Sequence, residues 1–405
     1  ALDIRMQMFE QAKERIVLST FSIKTDRVSE EIFAALIAAA DRGVKVQLII
    51  DGLSEGYDMK AAPMDYVAGT HPNIEIRYYN IPNLLKPWTF NGQLHDKYIL
   101  IDDTCLLLGG RNTSNYFLGN YNPDVLSYDR EIFVYNTASG TPDSPQSVIS
   151  DVYAYFDTVW NDKSSVTVFD HIPFHKKKHL DEVYLTMKQE RPQIFLPVDY
   201  EDMTVPTNRI TLITNPINPG PKEPYVLYEL AMLMTHAEER VFLQTPYAVL
   251  NEDMYDILRT TADSVPRFEM MLNSVAVGDN FMGSSDYTFN KKKILATGVT
   301  VYEYQGDHSM HNKSLLIDDD ISVIGSFNFD MRSAYIDTEC MLVIHGTEFN
   351  ALLEAEILRM QEDSLQVAED GSYLPGDVAP APLPASKKLL YRITSIIFQP
   401  FRFLM

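Results

Sequence analysis

The sequence predicts an α/β protein of two pseudo-symmetric domains, each an α-β-α sandwich around a mixed, largely parallel sheet. One observation is a duplicated motif, H-x-K-x-x-x-x-D, which begins at His95 and again at His311. A second is a duplicated stretch upstream of it, since residues 12–21 resemble residues 237–246. The two pairs lie 216 and 225 residues apart, and such similar offsets indicate that a whole domain has been repeated.

The elements of each copy follow from hydrophobic periodicity and from helix-end residues. In the first copy, Ser29 is the predicted N-cap of a helix that Gly43 ends, and residues 44–50 form the next strand. The second copy repeats this pattern with one helix and two strands, at residues 251–261, 268–272 and 299–304. A β-α-β order joins parallel neighbours in a sheet that helices cover.

Each motif is predicted to lie on a strand, where alternation places its histidine and its lysine on one face. A further strand follows the glycine turn after each motif, and one more strand then leads to a helix. These last strands and helices are predicted at residues 131–135 and 147–160 in the first copy, and at residues 340–344 and 348–363 in the second.

The chain length of 405 residues accommodates two domains of about 150 to 200 residues each. We assign residues 1–165 to the first domain and residues 225–365 to the second. The other segments are an irregular inter-domain connection at 166–224, a proline-rich spacer at 366–386 and a basic, apolar C-terminal segment at 387–405.

The charge balance argues against some classes of partner. The chain has 34 basic and 56 acidic residues, a net charge of −22. Nucleic-acid-binding proteins usually present a basic face, so nucleic acid is not the predicted partner, and general adhesion to anionic membranes is disfavoured as well. Cys105 and Cys340 lie in apolar stretches and are interpreted as buried free thiols.

The chain ends bear on membrane attachment. The sequence has no run of 18 apolar residues, so it predicts no spanning helix. The chain begins at Ala1 rather than at a methionine, which suggests trimming or processing and leaves open an N-terminal signal or anchor that has been removed.

The paired motif contains the groups that phosphodiester chemistry needs. Two histidines at one phosphorus can divide the work, because one can attack and form a phosphohistidine while the other protonates the leaving alkoxide. Lys97 and Lys313 can neutralise the non-bridging oxygens, and Asn112 and Asn328 can donate hydrogen bonds to them. The two motifs are therefore expected to meet at the domain interface. The two ammonium groups take the place of a metal ion, so no metal and no other cofactor is predicted.

Four carboxylates accompany the motifs. Asp102 and Asp318 complete them, but each lies an odd number of residues from its lysine and points away from the reacting face of a regular strand. We predict that they support the site by holding turn backbone or neighbouring groups. Asp129 and Glu339 lie 34 and 28 residues after their histidines and are predicted to orient those rings.

The chain resembles the phospholipase D superfamily, whose signature is this duplicated motif, and within it the bacterial cardiolipin synthases and related phosphatidyltransferases. The closer likeness rests on five stretches, residues 109–112, 273–279, 298–304, 325–333 and 337–339. The resemblance implies the phospholipase D fold and transfer through a phosphatidyl-histidine. It also makes His95 the nucleophile and His311 the acid and then the base. Gly110 departs from the pattern, since many relatives have serine there, although one branch of the cardiolipin synthases has glycine.

The leading hypothesis is a cardiolipin synthase-like phosphatidyltransferase, which would cleave a phosphatidylglycerol-type donor and pass its phosphatidyl group to an alcohol on a second lipid. A hydrolytic phospholipase D, a nuclease or phosphodiesterase of the same superfamily and a catalytically inactive lipid-binding protein are the alternatives. The sequence leaves the acceptor lipid and the oligomeric state open.

A lipid substrate implies a peripheral enzyme at the bacterial cell membrane. Residues 387–405 combine basic and apolar side chains without an acidic one, a pattern that favours contact with the membrane surface. The alternative is a helix docked on its own domain. The loop at residues 81–90, which includes Leu84 and Leu85, is interpreted either as an entrance for acyl chains or as a buried crossover.

Overall fold

The computed structural model describes residues 1–57, 68–169 and 178–404, and the chain divides into two compact units. Unit 1 consists of Ala1–Leu126, Glu131–Thr204 and Ile217–Pro221. Unit 2 consists of Ser127–Arg130, Val205–Pro216 and Lys222–Met405. A short segment from the first half of the sequence, Ser127–Arg130, therefore belongs to unit 2.

The strands in chain order are β1 (Arg15–Thr20), β2 (Lys45–Asp51), β3 (Ile74–Tyr79), β4 (Tyr98–Ile101), β5 (Cys105–Gly109), β6 (Ser127–Tyr128), β7 (Glu131–Tyr135), β8 (Ser165–Val168), β9 (Arg209–Thr214), β10 (Arg240–Gln244), β11 (Arg267–Asn273), β12 (Thr300–Tyr304), β13 (Ser309–Met310), β14 (Ser314–Ile317), β15 (Ile321–Gly325), β16 (Cys340–His345) and β17 (Ser364–Gln366). The helices are α1 (Leu2–Gln11), α2 (Arg27–Asp41), α3 (Gly52–Tyr57), α4 (Val148–Trp160), α5 (Lys178–Glu190), α6 (Tyr225–Thr235), α7 (Glu252–Ser264), α8 (Phe281–Leu295), α9 (Met331–Tyr335), α10 (Thr347–Glu362) and α11 (Ala385–Ile397).

The sheets of the two units repeat one topology. The unit 1 sheet has the order β8-β3-β2-β1-β4-β5-β7, and the unit 2 sheet has the order β17-β12-β11-β10-β14-β15-β16-β9. Strand for strand, the first seven positions correspond, and β9 is an addition at one edge of the second sheet. The predicted duplication of an α/β domain is therefore confirmed.

The sheets are mixed, as predicted, but the parallel part is smaller than predicted. Among the strands in the described ranges, the parallel pairs are β1–β2 and β2–β3 in the first sheet and β10–β11 and β11–β12 in the second. The later strands of each sheet pair antiparallel. For β4–β5 and β14–β15 the cause is the connection length, because three-residue turns reverse the chain there, whereas parallel neighbours need a long crossover.

Helices cover both faces of the unit 1 sheet. Ile16 and Leu18 of β1 belong to a core that they share with α1 and α2. Arg15 points to the opposite face, where its guanidinium carbon lies 4.7 Å from the ring centroid of Tyr153 in α4. Alternation along one strand thus places a helical layer on each side of the sheet, which is the predicted sandwich.

Helix α2 begins three residues earlier than predicted. Its N-cap is Asp26, whose carboxylate accepts a hydrogen bond from the Ser29 amide at 3.2 Å, so Ser29 lies in the first turn and is not the cap. The helix ends as predicted before Gly43, which has a φ of 97°. In unit 2, Asn251 caps α7 by accepting from the Met254 amide at 3.0 Å.

The connection predicted to be irregular, residues 166–224, contains regular structure. Helix α5 lies within it, and β9 pairs antiparallel with β16 over six residues. The sequence pattern missed β9 because an edge strand exposes part of its length and shows no clear hydrophobic alternation. Residues 170–177 of this connection lie outside the described part of the chain.

The C-terminal segment forms a helix that docks on its own unit. The rings of Tyr391 in α11 and Phe281 in α8 are 5.1 Å apart, and Arg402 Nε lies 2.6 Å from Asp286 Oδ1. The docked-helix alternative is thereby confirmed. In the loop at residues 81–90, Leu84 and Leu85 are 87% and 85% exposed, which excludes a buried crossover for these two side chains. Across the three described ranges, no helix combines the length and the apolar character that crossing a membrane requires.

Candidate active site

The histidine and lysine of each motif lie just before a strand, not on it as predicted. β4 begins at Tyr98 and β14 begins at Ser314, one residue after the lysine in each case. In both copies the lysine folds back onto the backbone of its own histidine: Lys97 Nζ donates to His95 O at 2.5 Å, and Lys313 Nζ donates to His311 O at 2.6 Å. The same local geometry in both units indicates that each motif holds its lysine beside its histidine.

A carboxylate, an ammonium group and an imidazole converge in unit 2. His311 Nδ1 lies 2.6 Å from Asp129 Oδ2 and 2.7 Å from Lys313 Nζ. The carboxylate can only accept, so its contact places a proton on Nδ1 and, in a neutral ring, leaves the lone pair on Nε2. Lys313 then donates to His311 O and not to Nδ1, to which it contributes positive charge alone. Lys313 and Asp129 have fully buried side chains, whereas the His311 side chain keeps 15% of its surface exposed. His311 is therefore the accessible member of the cluster.

Asp129 reaches His311 because β6, which ends one residue before it, pairs in parallel with β13, which ends one residue before His311. This pairing differs from the one that the sequence spacing predicts, in which Asp129 follows His95 and orients it. Both short strands belong to unit 2, so the contact lies within a single compact unit. The spacing argument failed because it assigned the carboxylate to the preceding motif of the same sequence copy.

Burial controls the protonation of this cluster. Burial lowers the pKa of His311 and the Lys313 charge lowers it further, against the opposing effect of Asp129. Burial also lowers the pKa of Lys313, while the nearby carboxylates of Asp129, Glu339 and Asp279 raise it. His311 is therefore neutral near neutral pH when no anion is bound, and an incoming anion would favour its protonation.

In unit 1, the His95 ring packs edge-on against Phe21, with ring centroids 5.4 Å apart. Lys97 Nζ lies 5.3 Å from the centre of the same ring, and the Lys97 residue is only 3% exposed. Between them, Asp96 points to the other face, where it accepts from Tyr155 OH of α4 at 2.7 Å. The alternation predicted for a strand thus holds for these side chains, with the histidine and the lysine together on one side of the chain.

The aspartates of the two motifs hold backbone. Asp102 accepts hydrogen bonds from the amides of residues 13, 14 and 15, at 2.9, 2.9 and 2.7 Å. Asp318 accepts from the amides of residues 238, 239 and 240, at 3.0, 2.8 and 3.0 Å. Both residues occupy the left-handed region at the turn after the motif strand, with φ of 48° and 47°. Each aspartate thereby ties its turn to the start of the neighbouring strand, in the supporting role that its spacing predicts.

Asn112 and Asn328 each present a buried amide oxygen that has no hydrogen-bond partner among the described residues. Asn328 Nδ2 donates to Tyr247 OH at 3.3 Å. The unused atom is an acceptor, so it suits a donor group of a ligand, whereas a phosphoryl oxygen would have to be met by the Nδ2 group of the same side chain. Glu339 is fully buried and accepts from the Ser326 hydroxyl, so in unit 2 the second residue of the glycine turn is tied to this carboxylate.

Tyr247 was not among the predicted site residues. Burial strongly raises the pKa of its phenol, so the group remains a neutral donor and acceptor. A signal was present in the sequence, because Tyr247 directly follows the repeated stretch at residues 237–246 and hence the carboxyl end of a parallel strand.

Asp330 gives unit 2 a pH-dependent stability. It caps α9 by accepting from the Ser333 amide at 2.7 Å, and burial raises its pKa to about 7. The folded protein therefore binds more protons than the unfolded chain between about pH 4 and 7, and stability must fall as pH rises through that window, by at most about 1.4 kcal/mol per pH unit.

Asp330→Asn keeps the cap and should remove this loss. Urea unfolding of both proteins at about pH 5 and 8 measures the difference, and Asp263→Asn, at an exposed site, is the control. Parallel pH profiles for wild type and Asp330→Asn would contradict the prediction.

In the described part of the chain, no group of three or more histidine, cysteine, aspartate or glutamate side chains is arranged to hold a metal ion. The two cysteines are buried and unbridged, and burial raises the pKa of Cys105 to about 12, so this thiol is not a nucleophile near neutral pH.

Comparison with known proteins places this arrangement in a family. A family model described as "Cardiolipin synthase, PLD-like domain" matches the chain twice, over residues 6–138 and 230–361. Cardiolipin synthase C of Escherichia coli K12 is 25% identical over 409 residues, covering 90% of this chain and 83% of that protein. Cardiolipin synthase B of Salmonella typhi is 26% identical over 351 residues, covering 85% and 73%. The crystal structure of a phosphatidylserine synthase from Haemophilus influenzae Rd KW20 shares the fold, with a TM-score of 0.69 at 16% identity over 100% of this chain and 93% of that one.

Proposed function

The chain belongs to the cardiolipin synthase, PLD-like domain family of the phospholipase D superfamily, and from that premise we propose that it transfers a phosphatidyl group between two glycerophospholipids through a phosphatidyl-histidine. The observation that carries the proposal is the buried cluster of Asp129, His311 and Lys313 in a chain that contains the His-x-Lys motif twice. An oriented imidazole beside a buried ammonium group is equipped for proton transfer at an anionic phosphodiester.

The proposed reaction has two balanced steps. In the first, a ring nitrogen of His95 attacks the phosphorus, the bond from phosphorus to the headgroup oxygen breaks, and His311 gives that oxygen a proton. In the second, His311 takes the proton of an alcohol on the second lipid. The alkoxide then attacks the phosphohistidine, the phosphorus–nitrogen bond breaks and His95 is restored.

The charges around His311 suit this sequence of events. In the unbound enzyme its lowered pKa keeps it neutral, and the anionic phosphodiester brings the negative charge that favours its protonation. Asp129 stabilises the imidazolium that results. We assign Lys97 and Lys313 to the non-bridging oxygens of the phosphoryl group, with the Nδ2 groups of Asn112 and Asn328 as hydrogen-bond donors to the same oxygens.

The donor in this proposal is a phosphatidylglycerol-type lipid, and the enzyme works as a peripheral protein at the bacterial cell membrane. Support for membrane contact comes from α11, whose outward face exposes five apolar side chains: Leu389, Leu390, Ile393, Ile396 and Ile397. Leu84 and Leu85, eleven and ten residues before His95, are a second exposed apolar pair on the same polypeptide. An exposed apolar face next to basic residues is the pattern of an interfacial helix.

Lipid products decide between the proposal and its rivals. The protein would be incubated with vesicles of phosphatidylglycerol, with and without phosphatidylethanolamine, and the lipids identified by mass. Cardiolipin and free glycerol support transfer between two lipids. Phosphatidic acid without a dimeric lipid would assign a hydrolytic phospholipase D, and cleavage of DNA in a parallel assay would assign a nuclease. The His95→Ala, His311→Ala double variant gives the background level of both lipid products. If the wild-type protein forms neither cardiolipin nor phosphatidic acid above that level, the proposal is overturned.

A further inference from the structure

A cavity of about 530 Å³ lies in unit 2, between the body of the domain and its C-terminal segment. One wall comes from the loop after β11 and from α8, and the other comes from the proline-rich spacer and α11. Its lining includes three tyrosines and the polar or charged residues Ser274, Thr288, Lys291, Glu303, Gln305, Lys388 and Arg392. The volume falls in the range of pockets that hold small molecules, which is about 300 to 1,000 Å³.

The spacer forms a fixed wall of this cavity. Gln305 Oε1 accepts from the Ala381 amide at 2.9 Å, and Gln305 Nε2 donates to Tyr373 OH at 3.2 Å. Tyr373 OH in turn donates to Glu303. The segment predicted as a spacer is therefore hydrogen-bonded to Glu303 of β12 and to Gln305, which directly follows that strand, and the cavity is a built feature of the unit.

The charge inside the cavity is positive. Lys291 lies 2.7 Å from Glu303, so these two charges offset each other. Lys388 and Arg392 also line the cavity, and neither forms an ion pair with any residue that the structure describes. In a chain with a net charge of −22, two uncompensated cations on one wall are suited to an anionic ligand.

The wall formed by the loop after β11 contains a buried hydroxyl group, that of Ser274. Ser274 is 2% exposed, lines the cavity, and its Oγ has no hydrogen-bond partner among the described residues. Buried polar atoms in native proteins are normally satisfied, and an exception needs an explanation. A ligand that brings a hydrogen-bonding group to Ser274, together with negative charge for Lys388 and Arg392, would satisfy all three.

Helix α11 links this cavity to a lipid surface. At 100° per residue, Lys388, Arg392 and the buried Tyr391 lie toward the cavity, and the exposed apolar residues of the helix follow on the adjoining face from Ile396 round to Leu390. Arg392 stands at the border between the two faces, about 40° from Ile396, and Lys388 lies deeper on the cavity side, about 80° from Ile396. A ligand held by these two cations therefore has its anionic part in the cavity and an apolar face of the protein directly beside it.

We propose that this cavity binds the headgroup of an anionic phospholipid, with the phosphate at Lys388 and Arg392, a headgroup hydroxyl at Ser274 and the acyl chains along the apolar face of α11. Neither histidine of the two motifs lines this cavity, and binding there needs no turnover. It would retain unit 2 on membranes rich in anionic lipid, whatever reaction the motifs catalyse.

Binding of a short-chain phosphatidylglycerol, below the concentration at which it forms micelles, tests this site. Calorimetric titrations would use the full chain with His95→Ala to prevent turnover, and would compare phosphatidylglycerol, phosphatidylcholine of the same chain length and inorganic phosphate. We expect phosphatidylglycerol to bind most tightly. The paired substitutions Lys388→Gln and Arg392→Gln should weaken its binding roughly tenfold or more, as expected for lost charge-assisted hydrogen bonds. Ser274→Ala should weaken it less.

Lys387→Gln is the matched control, because Lys387 is a neighbouring exposed lysine of α11 that does not line the cavity. Hydrogen exchange of the same samples locates the ligand, and we expect protection at residues 271–276 and 371–392. Three results would overturn the proposal: equal loss of affinity with Lys387→Gln, equal binding of phosphatidylcholine, or undiminished binding by the paired variant. Inorganic phosphate binding as tightly as phosphatidylglycerol would overturn the lipid as ligand. Because the readout is binding, a failure of the proposed transfer reaction leaves these results interpretable.

Discussion

His95→Ala is expected to abolish lipid turnover and to prevent any covalent phosphatidyl intermediate, with a loss of rate of about 10⁴-fold or more. The reason is that the proposal gives His95 the bond to phosphorus, and alanine offers no atom that can form it. His311→Ala should lower turnover by about 10² to 10⁴-fold, the usual contribution of a general acid and base. It should still permit slow labelling when the leaving group is an acidic phenol that departs without a proton.

Intact-protein mass spectrometry after incubation with a phosphatidyl ester of such a phenol measures the intermediate directly. His345→Ala is the control, because His345 is half exposed and pairs with Asp320, and it should keep full activity and labelling. Labelling of His95→Ala together with none of His311→Ala would reverse the two roles. The lowered pKa of His311 gives that outcome a physical basis, since a neutral imidazole is also the form that attacks.

The pH dependence of turnover separates the same two assignments. If the free enzyme must carry a protonated His311, kcat/KM falls as pH rises through a pKa that lies below the ordinary value for histidine. If His311 is the nucleophile, kcat/KM falls as pH drops through that same pKa.

The sequence was sufficient for the features that repeat locally. The His-x-Lys motif, the glycine turn and the β-α-β pattern each lie within a short window, and their recurrence predicted two similar domains. The supporting role of the aspartates was predictable for the same reason, because Asp102 and Asp318 each follow the lysine at the same spacing and so occupy the same turn after the motif strand.

Features that depend on pairing between distant segments were not predictable. Asp129 and His311 are 182 residues apart, and only the pairing of β6 with β13 brings them together. The same limitation applies to β9, which forms a strand by pairing with the distant β16, and to the number of strand pairs that are parallel. A single sequence shows which segments can form strands, but which strands pair with each other depends on the packing of the whole sheet.

The docking of α11 shows a different limitation. Its basic and apolar residues are compatible with a membrane helix and with a helix packed on protein, and composition does not separate the two. The structure shows one face of α11 packed on α8 through Tyr391 and the adjoining apolar face exposed. The two interpretations were therefore not exclusive, because they concern different faces of one helix.

Asp318→Ala is expected to destabilise the protein by about 2 to 3 kcal/mol while leaving the activity of the folded fraction nearly unchanged. Three backbone amides lose their acceptor, and the penalty is largest at the partly buried Arg240 amide, since the amides of residues 238 and 239 are open to water. Alanine also tolerates the φ of 47° at this turn poorly, which adds roughly 1 kcal/mol. Asp318→Asn separates these contributions, because asparagine accepts the left-handed conformation and keeps one acceptor oxygen.

We expect Asp318→Ala to keep its catalytic activity because Asp318 lies far from the histidine and the lysine of its motif. Asp318 lies five residues beyond Lys313, at the far end of β14, roughly 16 Å along an extended strand. Urea unfolding followed by circular dichroism measures the stability, and the specific activity of the same samples measures the chemistry. Asp319→Ala, at the exposed neighbouring position, is the matched control and should change neither. Loss of activity in Asp318→Ala without loss of stability would contradict the prediction. It would mean that Asp318, the third residue of the motif, takes part in the reaction.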